Sequence, residues 1–180
     1  MWLGDIIVGI ISFRRNIKFS LKNSFKKRLL VFDIQPVKSS FYQSMVYDYE
    51  YQIPDLAISF LDHIDMLAKK FDLEIILKRK ITTNVTDKKY LNKVNKLSSS
   101  GRWIDLNPDY DASLVIEKIK PIGSISAPYS STAIITENKD IPTIYYDSTS
   151  KIDVNFEANN NIVVLKNIEE LSNWTKTLLN

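Results

Sequence analysis

From residue 29 onward, short apolar runs alternate with amphipathic stretches, and this alternation limits the chain to few folds. The apolar runs are 29–34, 73–77, 102–106, 122–126, 143–146 and 162–165. Each is the length of a strand, and most are too apolar to leave one face in water, which is the pattern of strands buried on both sides. Between them, apolar residues recur at helical spacing. The clearest case runs from Ile53 to Phe71, where Leu56, Ala57, Phe60, Leu61, Ile64, Leu67 and Ala68 form one stripe and Pro54 sits in the first turn. His63 falls off that stripe and is expected on the solvated surface. Further helices are expected over 88–97, 112–119, 131–137 and 168–178, the first two capped by Asp87 and Asp111.

Strand–helix alternation predicts an α/β fold: a doubly wound, Rossmann-like parallel sheet of about six strands with helices on both faces. Right-handed crossovers leave few topologies, and the commonest six-strand order is 3-2-1-4-5-6. At 180 residues the chain is sized for one domain of this kind, placed over 29–180. Residues 1–28 form a separate apolar and basic segment, read as the remnant of a missing lobe. The run Met1–Phe13 is shorter than the roughly 20 residues a bilayer requires. It contains Asp5, and its positive charges follow it, whereas those of a signal peptide come before. A core or partner-facing role is expected, with a membrane-surface anchor completed by Lys22–Arg28 as the alternative. The aromatic, polar stretch 39–52 reads as a long loop.

Composition removes several chemistries. Without cysteine there is no disulfide, zinc-thiolate site or thiol nucleophile. One histidine excludes a multi-histidine metal site. Neither glycine-rich phosphate fingerprint is present. The net charge of +3 is unevenly spread: residues 69–102 hold ten bases against three acids, whereas 103–180 hold six against eleven. A basic segment in an otherwise acidic body points to a local anion site and not to nucleic acid.

In a doubly wound sheet, ligands bind at the carboxyl ends of the strands where the strand order reverses. The expected crevice therefore lies between the loop Gln35–Lys38 after the first strand and the loop Ala127–Thr132 after the fourth. Ser130, Ser131 and Thr132 open a helix there and offer hydroxyl donors to an anion, although helix capping alone also favours such residues. Lys78, Arg79 and Lys80 leave the second strand at the same edge and can neutralise phosphate, or serve only as a solvated charge run. Asn107 and Asp109 end the third strand at the rim, where they could contact a base or ribose. Asp147, after the fifth strand, could meet a sugar hydroxyl. No general base stands out, and Asp33 reads as a structural residue within the first strand.

The stretches Val31–Pro36, Ile75–Lys80, Ser124–Ala133 and Ile141–Asp147 resemble bacterial surface-polysaccharide biosynthesis proteins named for a Pro-Phe-Thr-Ser motif. The resemblance covers roughly residues 29–150, and Pro128-Tyr129-Ser130-Ser131 stands at the motif, keeping a hydroxyl at its last two positions. These proteins look like glycosyltransferases of the two-Rossmann (GT-B) architecture, and this chain would correspond to the C-terminal, donor-binding half. The resemblance implies that Ser130 and Ser131 hold the donor phosphate, supported by Lys78 or Lys80, with Gln35 and Lys38 shaping the crevice floor. The expected ligand is a nucleotide sugar, as substrate, with no cofactor and no metal. The expected setting is assembly of a capsule or O-antigen in the cytoplasm or at the inner membrane face. Residues 1–28 are too few for an acceptor lobe, so a partner lobe or subunit would complete the enzyme. The alternative is a non-catalytic interaction module of the same fold. An epimerase-like half-domain is a weaker reading, because such sites place more carboxylates and a histidine at the rim.

Overall fold

The structure, a computed structural model, describes residues 27–34, 36, 38, 53–80, 86–128, 130–150 and 162–180. Most of the N-terminal segment, the aromatic stretch 39–52 and Gln35 lie outside the described residues. Six strands form one sheet: β1 (Arg28–Phe32), β2 (Glu74–Lys78), β3 (Trp103–Asp105), β4 (Gly123–Ser126), β5 (Thr143–Tyr146) and β6 (Val163–Leu165). Their order is β3-β2-β1-β4-β5-β6, with every pairing parallel. Five helices connect them: α1 (Pro54–Lys70), α2 (Lys88–Ser99), α3 (Ala112–Ile119), α4 (Ser131–Glu137) and α5 (Ile168–Thr177). The chain is thus a Rossmann-like α/β protein with the expected strand order.

β1 sits at the centre and pairs with β2 on one side and β4 on the other, Leu30 lying opposite both Ile76 and Ser124. Its alternating side chains feed two cores. Leu29 and Val31 pack with Leu61, Ile64, Tyr90 and Leu171 beneath α1, α2 and α5. Leu30 and Phe32 pack with Val115, Ile116 and Ile119 beneath α3. This is why the strand carries no polar residue between Arg28 at its start and Asp33 just past its end. Full burial of such aliphatic side chains is worth about 1.5–3 kcal/mol each.

The caps follow the sequence chemistry. Asp87 accepts from the amides of Lys89 (2.8 Å) and Tyr90 (3.1 Å). Asp111 accepts from Leu114 N (3.1 Å), and Asn167 accepts from Glu170 N (2.9 Å). α3 stops at Lys120, whose φ of 49° places it in the left-handed region. A methyl group on Gly123 would lie 2.6 Å from Leu178 Cδ1 and 3.0 Å from the Trp174 ring, so closely do the last helical turns approach β4.

Two residues of α1 depart from the expectation for an exposed face. His63 is half-buried, and its Nδ1 lies 2.7 Å from the Tyr146 hydroxyl. The surface reading fails because a buried tyrosine reaches past the apolar stripe and its hydroxyl needs a polar partner. Asp65, also off the stripe, is buried and accepts from Trp103 Nε1 (2.9 Å). Among the described residues no helix is long and apolar enough to cross a membrane.

Candidate functional site

The strand order reverses between β1 and β4, so their carboxyl ends part into a crevice. Phe32 O accepts from Ala127 N (2.8 Å), which holds the two ends together at the floor. Beyond that bond lies a cavity of about 330 Å³, counting the part open to solvent, lined by Phe32, Asp33, Lys78, Arg79, Lys80, Ser130, Ser131 and Thr132. The basic end of β2 and the hydroxyl-bearing start of α4 are 50 residues apart in sequence and share this cavity because β1 lies between their strands.

The hydroxyl side has a specific arrangement. Ser130 is the N-cap of α4, yet its side chain makes no cap bond. Its Oγ lies 2.5 Å from Thr132 Oγ1 instead. Ser130 is buried and its carbonyl accepts from the Tyr145 hydroxyl (3.2 Å), whereas Ser131 is exposed. Capping therefore does not account for the Ser130 side chain. α4 is only seven residues long, so it offers little helix dipole at its start.

The basic side divides its labour. Arg79 grips Asp105 with two parallel bonds, Nε to Oδ1 (2.8 Å) and Nη2 to Oδ2 (2.7 Å), and this pairing raises its pKa further. The Lys78 ammonium donates to the carbonyls of Pro108 (2.7 Å) and Arg79 (3.0 Å), tying β2 to the loop after β3. Burial lowers the Lys78 pKa, opposed by the nearby charges of Asp109, Asp111 and Asp33. Lys80 is exposed at the mouth.

Among the described residues, Asn107, Asp109, Asp147 and Lys38 are not among those lining this cavity. Asn107 is exposed and closes an Asx turn by accepting from Asp109 N (2.9 Å). Asp147 is fully buried; its Oδ1 accepts from the amide (2.9 Å) and hydroxyl (2.5 Å) of Thr149, organising the turn after β5. Lys38 is half-buried beyond the β1 loop, and Gln35 lies outside the described residues.

The residue that sequence reasoning passed over is Asp33. It follows β1 directly and is 3% exposed. Tyr90, from α2, donates to its Oδ2. Its Oδ1 is buried and has no hydrogen-bond partner among the described residues. Burial pushes its carboxyl up to about 7, outweighing the opposing charges of Arg79 and Lys80, with Asp105 adding to the rise. Asp33 also lines a second cavity, of about 310 Å³ counting the part open to solvent, with Leu56, Phe60, Pro128, Tyr146 and Ser148 under α1. The available signal was its position: a lone acid ending the central strand of a fold that binds ligands there.

Fold and crevice together define a Rossmann-like α/β protein with a polar, mainly basic cleft at the topological switch point. The family model described as polysaccharide biosynthesis PFTS motif protein matches residues 6–175. The chain belongs to that family, and the match extends on both sides of the stretch 29–150. No curated protein matches the chain.

Proposed function

We propose that the crevice at the β1–β4 switch point binds the phosphate of a nucleotide-sugar donor, and that the chain serves as a glycosyltransferase-like, GT-B C-terminal domain in polysaccharide assembly. One observation carries this reading. The Lys78–Lys80 triplet and the Ser130–Thr132 hydroxyls, remote in sequence, line one cavity at the edge where doubly wound sheets take nucleotides. Membership of a polysaccharide biosynthesis family supplies the setting, since sugar polymers are built by transfer from activated donors.

The roles divide by chemistry. Ser131, exposed at the mouth, donates its hydroxyl hydrogen to a phosphate oxygen, and the linked pair Ser130 and Thr132 has one further hydrogen to give, the other being held in their mutual bond. Lys80 supplies a positive charge at the entrance. Lys78 holds the loop after β3 and adds charge at the wall, and Arg79 braces that wall through Asp105. Glycosyl transfer also requires an acceptor held beside the donor in reactive geometry. In this reading another lobe or subunit supplies it.

Calorimetric titration with UDP, GDP and CMP tests the proposal. One nucleotide binds, and Ser131→Ala weakens it about tenfold, the loss of about one charge-assisted hydrogen bond. Failure of all three to bind the wild-type chain overturns the donor-site reading and favours an interaction module of the same fold.

A further inference from the structure

We propose that Asp33 is a ligand-contacting acid of the crevice: when a phosphate enters, its free Oδ1 takes up one proton from solvent and donates a hydrogen bond to a phosphate oxygen. This deepens the donor-site reading and rests on it.

The geometry carries the inference. Asp33 lies at the carboxyl end of the central strand, in the wall of the cavity shared by the basic and hydroxyl sides. Its two oxygens are not equivalent. Oδ2 is occupied as the acceptor of the Tyr90 hydroxyl, so an added proton belongs on Oδ1. Oδ1 is a buried polar atom with no partner among the described residues, a condition that costs about 1–3 kcal/mol until a partner arrives.

An ionised carboxylate beside a phosphate would repel it. A neutral carboxylic acid is instead a hydrogen-bond donor, and a phosphate oxygen is its natural acceptor. The charges around Asp33 keep this choice within reach of neutral pH. From the end of β2, Lys78, Arg79 and Lys80 favour the anion; from the end of β3, Asp105 favours the acid. α2 contributes Tyr90, and β5 contributes Tyr146 across the second cavity. The described residues of α1 and of the β4–α4 connection that share cavities with Asp33 bring no charge. Burial dominates, and the carboxyl titrates at about 7 before any ligand is present. A bound phosphate adds negative charge and pushes it higher, so binding above that pH is coupled to uptake of one proton.

The test uses the full chain and three probes, UDP-glucose, GDP-mannose and CMP-N-acetylneuraminate, whose phosphate diesters do not titrate between about pH 6 and 8.5. Affinity is measured across that range in two buffers of different ionisation enthalpy. The wild-type chain is expected to bind one probe with constant affinity below about pH 7. Above it, affinity falls up to about tenfold per pH unit, with uptake of about one proton per ligand near pH 8.5. Asp33→Asn keeps an acceptor for Tyr90 and presents a permanent donor to the crevice. It is expected to bind with a flat profile, near the low-pH affinity of the wild type. Binding without proton uptake by the wild type overturns the inference and leaves the donor site standing. So does an Asp33→Asn profile that still falls with pH, because the titrating group would then be another, Lys78 foremost. No binding of any probe by either protein at low pH overturns both. Where Asp33→Asn fails to fold, the proton count is repeated on Lys78→Arg, whose charge does not titrate: uptake that persists supports the inference, and uptake that is lost overturns it.

Discussion

Arg79 and Asp105 face each other across the ends of β2 and β3 and are joined by two parallel bonds of 2.8 and 2.7 Å. The guanidinium is nine-tenths buried, and so is committed to a neighbouring carboxylate while lining the crevice. Its fork shape matches the carboxylate and a lysine's does not. Arg79→Lys is therefore expected to destabilise the fold by about 1–2 kcal/mol and Arg79→Ala by about 2–4 kcal/mol, because both lose the fork but only the second also removes the positive charge beside Asp105. Urea denaturation with an unchanged slope would register this; a loss below about 0.5 kcal/mol in Arg79→Ala would contradict it.

The two lysines that flank Arg79 are expected to separate. Lys78 holds Pro108 O, so Lys78→Ala lowers both thermal stability and nucleotide affinity. Lys80 is exposed at the mouth, so Lys80→Ala lowers affinity severalfold and moves stability by no more than about 0.5 kcal/mol. Paired melting curves and titrations on the two variants check this, and equal effects on stability would refute the division.

Asp33 makes stability depend on pH with a definite sign. Its carboxyl titrates at about 7 when folded, against 3.8 as the ordinary value. Between those pH values the folded state binds the proton more tightly than the unfolded chain. The group's favourable contribution is complete below about pH 4 and is lost as pH rises through about 7. Asp33→Asn removes this penalty. It is expected to exceed the wild type in stability at pH 8, by a few kcal/mol at most, with the advantage shrinking as pH falls toward 4. Denaturation midpoints for both proteins across that range provide the check; a difference independent of pH would be inconsistent with a raised carboxyl.

Gly123 is confined by its neighbours. A Cβ there would meet Leu178 Cδ1 at 2.6 Å and the Trp174 ring at 3.0 Å. Gly123→Ala is expected to cost about 1–3 kcal/mol by forcing the C-terminal helix away from β4. A second substitution, Leu178→Ala, should recover part of that loss by opening the space. A thermal melt of the pair decides, and no recovery in the double variant would rule out this contact as the cause.

Much of the fold was legible in the sequence because its signals are local. The helices over 112–119 and 131–137 and the strand over 143–146 fall where pattern and cap placed them, and no other edge differs by more than two residues. Asp87 and Asp111 cap as expected because a cap bond spans only two or three residues. His63 was misplaced for the opposite reason. Its partner, Tyr146, lies 83 residues away, and only the packing of α1 across β5 brings the two together.

For the crevice, the sequence by itself determined which residues could meet: an alternation of strands and helices sets the topology, and the topology sets the edge where Lys78–Lys80 and Ser130–Thr132 emerge. What each of them does there was decided by tertiary structure alone. The Arg79 fork is held by Asp105, Lys78 by a carbonyl after β3, and Asp147 by its own turn. Asp33 turned from a strand residue into a buried acid with one unpartnered oxygen among the described residues because Tyr90, 57 residues on, took the other. Side-chain type fixes the bonds a residue is able to make. Burial and the competition among neighbours fix which ones it makes, and both arise only when distant segments close on one another.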